Sequence, residues 1–207
     1  MRLDHVSYAC APSELAEVVQ RIGSDLGAVF MDGGIHPSFG TRNFILPLAG
    51  GTYVEVVAAL DHPAADKAPF GRAVRQRADE GGGWLTWVVG VDDIVPIEER
   101  LGRPSVEGRR VRPDGAELRW RQIGILDVLD DPQLPYFIAW DRQSEHPSGP
   151  GSDVRLASIE MCGDPQDLAR WVDDLGDLGV SLTWVETDDR GIAACNFLTP
   201  RGFVRID

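Results

Sequence analysis

Two segments far apart in the chain are written to nearly one pattern. Asn43-Phe44-Ile45-Leu46-Pro47 is matched in order by Asn196-Phe197-Leu198-Thr199-Pro200. After a glycine, Tyr53-Val54-Glu55-Val56 is matched by Phe203-Val204-Arg205-Ile206. Agreement of motif, order and spacing is the mark of an internal repeat, and a repeat restricts architecture more than composition does. What precedes each segment repeats as well. A strand reads over residues 3–10 and again over 154–162. Each leads into an amphipathic helix. In the first, Leu15, Val18, Val19, Ile22 and Leu26 recur at three- and four-residue steps up to Gly27. In the second, Leu168, Trp171, Val172 and Leu175 follow Asp164-Pro165, a capping Asp with Pro at the first helical position. Strands then read at 28–31, 43–48 and 52–58 in one copy, and at 180–187, 193–198 and 203–206 in the other.

A more diverged copy lies between them. Residues 84–91 read as a strand, 92–101 as a helix, 105–112 and 117–123 as strands across Pro113-Asp114-Gly115, and 136–140 as a last strand. The expected fold is therefore α+β: three copies of a βαβββ module with curved mixed sheets and helices on the outside. The modules span 1–60, 82–142 and 153–207. Linkers at 61–81, with an extra helix near residues 70–80, and at 143–152 join them. One such module curls its sheet into half a cup and cannot bury its concave face alone, so two must close a shared cavity. The sequence leaves open which two.

The formal net charge of −13 disfavours phosphate backbones and anionic lipid, so neither nucleic acid nor a membrane is an expected partner. Arg109, Arg110 and Arg112 read as one face of an exposed strand rather than a basic patch. No apolar run approaches the roughly 20 residues that span a bilayer. The three cysteines, Cys10, Cys162 and Cys195, lack metal-site spacing and read as reduced, mostly buried side chains. A cytoplasmic location is expected. Gly81-Gly82-Gly83 precedes a strand rather than a helix, so no nucleotide cofactor is indicated.

Several motifs carry a family resemblance: Leu3-Asp4-His5-Val6, His36-Pro37-Ser38-Phe39-Gly40-Thr41-Arg42-Asn43, Gly51-Thr52-Tyr53-Val54-Glu55, Arg112-Pro113-Asp114-Gly115, residues 134–141 and His146-Pro147. In this order they resemble the glyoxalase-like branch of the vicinal oxygen chelate superfamily, over nearly the whole chain. That resemblance implies a ligand from the first and last strand of each paired module, together holding a divalent ion. His5 and Glu55 fall on the first-module positions and are the candidate metal ligands and catalytic residues, with zinc, iron, manganese or nickel as suitable ions. The other modules offer Leu85 and Ile138 or Ala139, and Ser158 and Arg205, at those positions. Asp141 and Glu160 stand a residue or so away. No metal at all is the alternative.

Each candidate also has a plainer reading. Glu55 could form an ion pair with Arg42 or Arg205, the second if the first and third modules pair. Pairing of the first two would leave Arg205 elsewhere and exposed. His36, Thr41, Arg42 and Asn43 are candidates for holding a polar or anionic substrate group, with Gly40 letting the backbone approach it. Asn43 could instead cap a turn. His146 and Trp140 are further substrate-binding candidates, and Trp84 and Trp87 belong either to an aromatic pocket or to the core. Two functions follow. One is a small-molecule enzyme of lyase, isomerase or dioxygenase type; the other is a metal-free protein that sequesters a small organic ligand. A homodimer is compatible with either.

Overall fold

The computed structural model describes residues 1–112, 114–172, 178–187 and 189–207. Pro113 and Leu175, assigned above to a turn and a helix face, lie outside the described residues. The first segment contains β1 (Arg2–Ala9), α1 (Leu15–Leu26), β2 (Met31–His36), β3 (Thr41–Pro47) and β4 (Tyr53–Ala59). Helices α2 (Pro63–Lys67) and α3 (Pro69–Asp79) follow. The middle segment contains β5 (Gly83–Gly90), α4 (Val95–Leu101), β6 (Val106–Val111), β7 (Glu117–Ile123), α5 (Ile125–Asp130) and β8 (Tyr136–Trp140). The last contains β9 (Arg155–Cys162), α6 (Pro165–Val172), β10 (Ser181–Trp184), β11 (Gly191–Thr199) and β12 (Gly202–Ile206). The punctuation acts as the sequence suggests. Gly27 ends α1 at φ 67°, and Asp164 Oδ1 accepts the Gln166 N–H at 2.8 Å at the start of α6.

Eight strands form a closed barrel in the order β1-β4-β3-β2-β6-β7-β8-β5. β1 is the seam, parallel to β4 on one side and antiparallel to β5 on the other. Ile35 of β2 meets Val111 of β6 to close the circle. The first and middle segments are thus the pair that shares a cavity. The last segment keeps the βαβββ element order but not the sheet order, β10-β9-β11-β12. There β9 sits between β10 and β11, whereas β1 lies beside β4. This sheet is anchored to β5 by Trp84, whose indole stacks on Phe197 and donates to the Ile206 carbonyl at 2.9 Å.

Alternation along the strands sorts the core into two clusters. Outward-facing Leu3, Val54 and Val56 pack with Ile22 and Leu26 of α1 and with Ile159 and Phe197 of the last sheet. Inward-facing Val57, Val88 and Ile138 pack with Phe70 and Val74 of α3. The stretch between the first two segments therefore contributes to the barrel interior. Gly40 serves this packing. At φ 64°, a Cβ there would lie 2.3 Å from the Ala65 backbone nitrogen, so the close approach it permits is to α2. The expected loop from His36 to Asn43 is a hairpin: β2 runs through His36, and Thr41 already lies in β3. Helix α5 has no counterpart in the sequence reading.

Candidate active site

The site begins with a bulge. Between Leu3 and His5 the register of β1 against β5 slips by one residue, leaving Asp4 as the extra one. Neighbours on a regular strand point to opposite faces, but here both turn toward one place. Asp4 Oδ1 lies 2.7 Å from His5 Nδ1, with both side chains buried. Gly90 across the seam leaves room for the carboxylate, since a Cβ there would stand 3.1 Å from Asp4 Oδ2. Oδ2 accepts from Trp140 Nε1 at 2.9 Å and meets His146 Nε2 at 3.0 Å. The His146 Nδ1 accepts the Ser148 backbone N–H, which places the proton on Nε2, facing Asp4. With Nδ1–H committed to Asp4, His5 presents Nε2 to the cavity, 4.0 Å from Glu55 Oε2 and 3.4 Å from the Tyr136 hydroxyl. Tyr53 stacks on the imidazole at 4.4 Å.

Glu55 is held from the first segment. Ser7 Oγ donates to Oε2 and Asn43 Nδ2 to Oε1, each at 2.6 Å. Asn43 in turn accepts from Arg110 NH1 of β6 at 3.2 Å, so one amide joins the carboxylate to a guanidinium from the second segment. Gly33 makes this contact sterically possible, because a Cβ there would lie 2.1 Å from Asn43 Oδ1. The empty space at this site, counted together with the open solvent at its mouth, is about 350 Å³. Aromatic side chains, among them Phe39, Phe70, Trp120 and Tyr136, make most of its remaining wall.

His5, Glu55, His36, Asn43 and Trp140 all line this cavity. Thr41 is buried behind it and holds His36 Nδ1 at 2.9 Å. His146 stands behind Asp4, edge-on to Tyr53 and Trp140. Arg42 is a correction. Being the odd residue between Thr41 and Asn43, it faces outward, is 40% exposed and pairs with Asp32 at 2.7 Å. Arg205 is another. It pairs with Glu160 at 3.0 Å on the last sheet, so neither arginine expected near Glu55 reaches it. Asn196 there donates to Glu160 at 2.9 Å, so the repeated asparagine braces a glutamate in both places rather than capping a turn. Asp141 is exposed and Glu160 belongs to the other sheet, so neither joins the cavity. Trp84 and Trp87 are core, their indoles donating to the backbone at Ile206 and Gln133. The residue missed was Arg110, read as exposed yet only 3% so. Strand alternation could have found it, since Arg109 and Arg110 cannot share a face.

Burial would raise the Glu55 carboxyl, but His5, His36 and the two hydrogen bonds outweigh it and hold it below its ordinary value. Burial keeps the hydroxyls of Tyr53 and Tyr136 protonated far above their ordinary range. His36 is pushed down from 6.5 to about 4, by burial first and then by Arg110. Its folded pKa lies below the unfolded one, so the unfolded chain takes the proton first as the pH falls. Stability from a neutral His36 is therefore complete above about 6.5 and is lost toward pH 4, by roughly 3 kcal/mol. Urea unfolding at pH 7 and pH 4.5 should show this slope in the wild type and its loss in His36→Asn. Equal slopes in the two proteins would contradict it.

The donor set does not suit a divalent ion. No group of three or more His, Cys, Asp or Glu side chains able to hold a metal occurs among the described residues. His5 Nε2 and Glu55 Oε2 face each other at 4.0 Å. The second segment adds Ile138, Tyr136, a guanidinium and Gln122, whose side-chain oxygen is taken by Trp120 Nε1 at 2.7 Å, and no further His, Cys, Asp or Glu. Two donors beside a fixed cation fall short of what zinc, iron, manganese or nickel requires.

A barrel of two βαβββ halves around a polar interior is the architecture of the vicinal oxygen chelate superfamily. The chain belongs to the glyoxalase-like domain family, whose model matches residues 3–176. Over its full length it is similar in fold to a hypothetical protein from Staphylococcus aureus, at 15% identity, 85% coverage of that chain and a TM-score of 0.62. It is also similar to a methylmalonyl-CoA epimerase from Mycobacterium tuberculosis, at 16% identity over 67% of this chain and 86% of that one, with a TM-score of 0.43. A third similar structure is the Streptomyces coelicolor methylmalonyl-CoA epimerase with 2-nitronate-propionyl-CoA, at 16% identity, 71% and 99% coverage and a TM-score of 0.44. No curated protein matches the sequence. No helix among the described residues is long and apolar enough to cross a membrane.

Proposed function

We propose that the chain is a small-molecule enzyme of isomerase or lyase type that moves a proton on carbon beside a carbonyl oxygen inside the barrel cavity. The observation that carries this reading is the Asp4–His5 contact, which turns His5 Nε2 toward an ionised Glu55. Glu55 keeps two of its roughly four acceptor directions after Ser7 and Asn43 are counted. It takes the proton from the substrate carbon, and the released electron pair moves onto the neighbouring oxygen. Tyr136, kept neutral by burial, donates a hydrogen bond to that oxygen. His5 exchanges the proton with Glu55, so that it returns to the same carbon, its other face or an adjacent atom. Dioxygenase chemistry would need a redox group, for which this reading assigns no residues.

The short hydrogen bonds that fix Glu55 also favour a second reading, in which the same cavity retains a small organic ligand unchanged. Deuterium wash-in separates the two. Small carbonyl compounds incubated with the protein in D2O should gain deuterium beside the carbonyl, and Glu55→Gln should slow this by about 10²–10⁴-fold. Tight retention of a compound without exchange would select the binding protein.

A further inference from the structure

Arg110 has a job that the hydrogen bonds of the fold do not account for. Its side chain is 3% exposed, yet NH1 finds only the neutral Asn43 Oδ1, and Nε is buried without any partner. No carboxylate oxygen lies within the 4.0 Å of an ion pair among the described residues, although this chain pairs many surface arginines that way. The charge of Arg110 is answered only indirectly, by Glu55 on the far side of Asn43, and a buried guanidinium with no carboxylate in direct contact is costly. Asn43 takes NH1 and keeps Glu55 beyond it, so the NH2 edge, which has no hydrogen bond among the described residues, remains for something else. That edge belongs to a side chain lining a cavity whose other walls include Phe39, Phe70, Trp120 and Ile138.

We infer that Arg110 is the anchor for a carboxylate group of the ligand, which is a small organic acid with a flat or apolar body. The inference rests on the reading of the barrel cavity as the ligand site, and it names the class of molecule that enters. The guanidinium meets the carboxylate through two parallel N–H donors, and the aromatic wall takes the body. Arg110 is then in direct contact with a carboxylate, and Glu55 is free to act at the other end of the ligand. A neutral analogue of the same shape leaves the guanidinium unpaired and loses most of the affinity.

The test uses benzoate and its neutral isostere benzamide, titrated at constant ionic strength and followed by tryptophan fluorescence, since Trp120 and Trp140 line the cavity. Benzoate should bind the wild type roughly 10- to 100-fold more tightly than benzamide. Arg110→Met should abolish that preference. Arg42→Met, which alters an exposed ion pair, should leave the preference intact. Equal affinity for the two probes in the wild type, failure of both to bind, or an undiminished preference in Arg110→Met would each overturn the assignment. The wild-type comparison stands even if the variant does not fold. Carboxylate preference without deuterium exchange would remove the enzyme reading alone. Exchange on neutral carbonyl compounds without that preference would remove this inference alone.

Discussion

Asp4→Asn is expected to lower turnover by about 10³–10⁴-fold with little change in ligand affinity. Asp4 Oδ2 takes two donors, Trp140 Nε1 and His146 Nε2, so the amide nitrogen of an asparagine cannot sit there. The amide oxygen must face those donors, which points the NH2 group at His5 Nδ1. That nitrogen then has to accept, and the ring proton moves to Nε2, the atom that served the cavity. The change removes the exchange partner of Glu55 without altering the shape of the site. Separate values of kcat and KM check it. A fall confined to KM would mean that Asp4 supports binding rather than the orientation of His5.

The largest effect on stability is expected from Gly40→Ala. The residue sits at φ 64°, where a side chain costs roughly 1–2 kcal/mol. The new Cβ would also stand 2.3 Å from the Ala65 nitrogen and 2.9 Å from its Cα, both backbone atoms that cannot swing aside. Forcing α2 away adds roughly 1–3 kcal/mol. A total of about 2–5 kcal/mol should appear as a lower urea midpoint with an unchanged slope. Gly50→Ala is the control: it has a similar positive φ but nothing within 4 Å of the new Cβ, and should cost only the conformational part. Equal losses in the two variants would mean that the contact with α2 contributes nothing.

Much of this architecture was legible because periodicity and punctuation are local. The strands at 117–123 and 136–140, the stop at Gly27 and the start at Pro165 needed no knowledge of the rest of the chain. His5 and Glu55 were legible through the family resemblance, and the cavity brings them together. What could not be read were relations across the fold. The pairing of the first two segments depends on hydrogen bonds between β1 and β5 and between β2 and β6, made by backbone that any sequence carries. Asp4 was hidden by a bulge, which overturns the alternation from which facing is deduced. The two arginines show the same limit from opposite sides. Arg42 looked like the anion contact because of the motif around it, yet strand parity turns it outward. Arg110 looked exposed because it stands among other arginines, yet parity turns it inward. The fixed positive charge anticipated beside Glu55 is present, but it comes from β6 rather than from the repeat.

The proposed proton movement by Asp4, His5 and Glu55 on a carboxylate-bearing ligand is checked by following deuterium wash-in from D2O into small 2-oxo acids by NMR, with wild type, His5→Gln and Glu55→Gln compared side by side. Exchange beside the carbonyl is expected with wild type, and its loss by at least about 10²-fold in each variant, while ligand binding is retained. Exchange at the wild-type rate in either variant, or no exchange of any bound 2-oxo acid by the wild type, would contradict it.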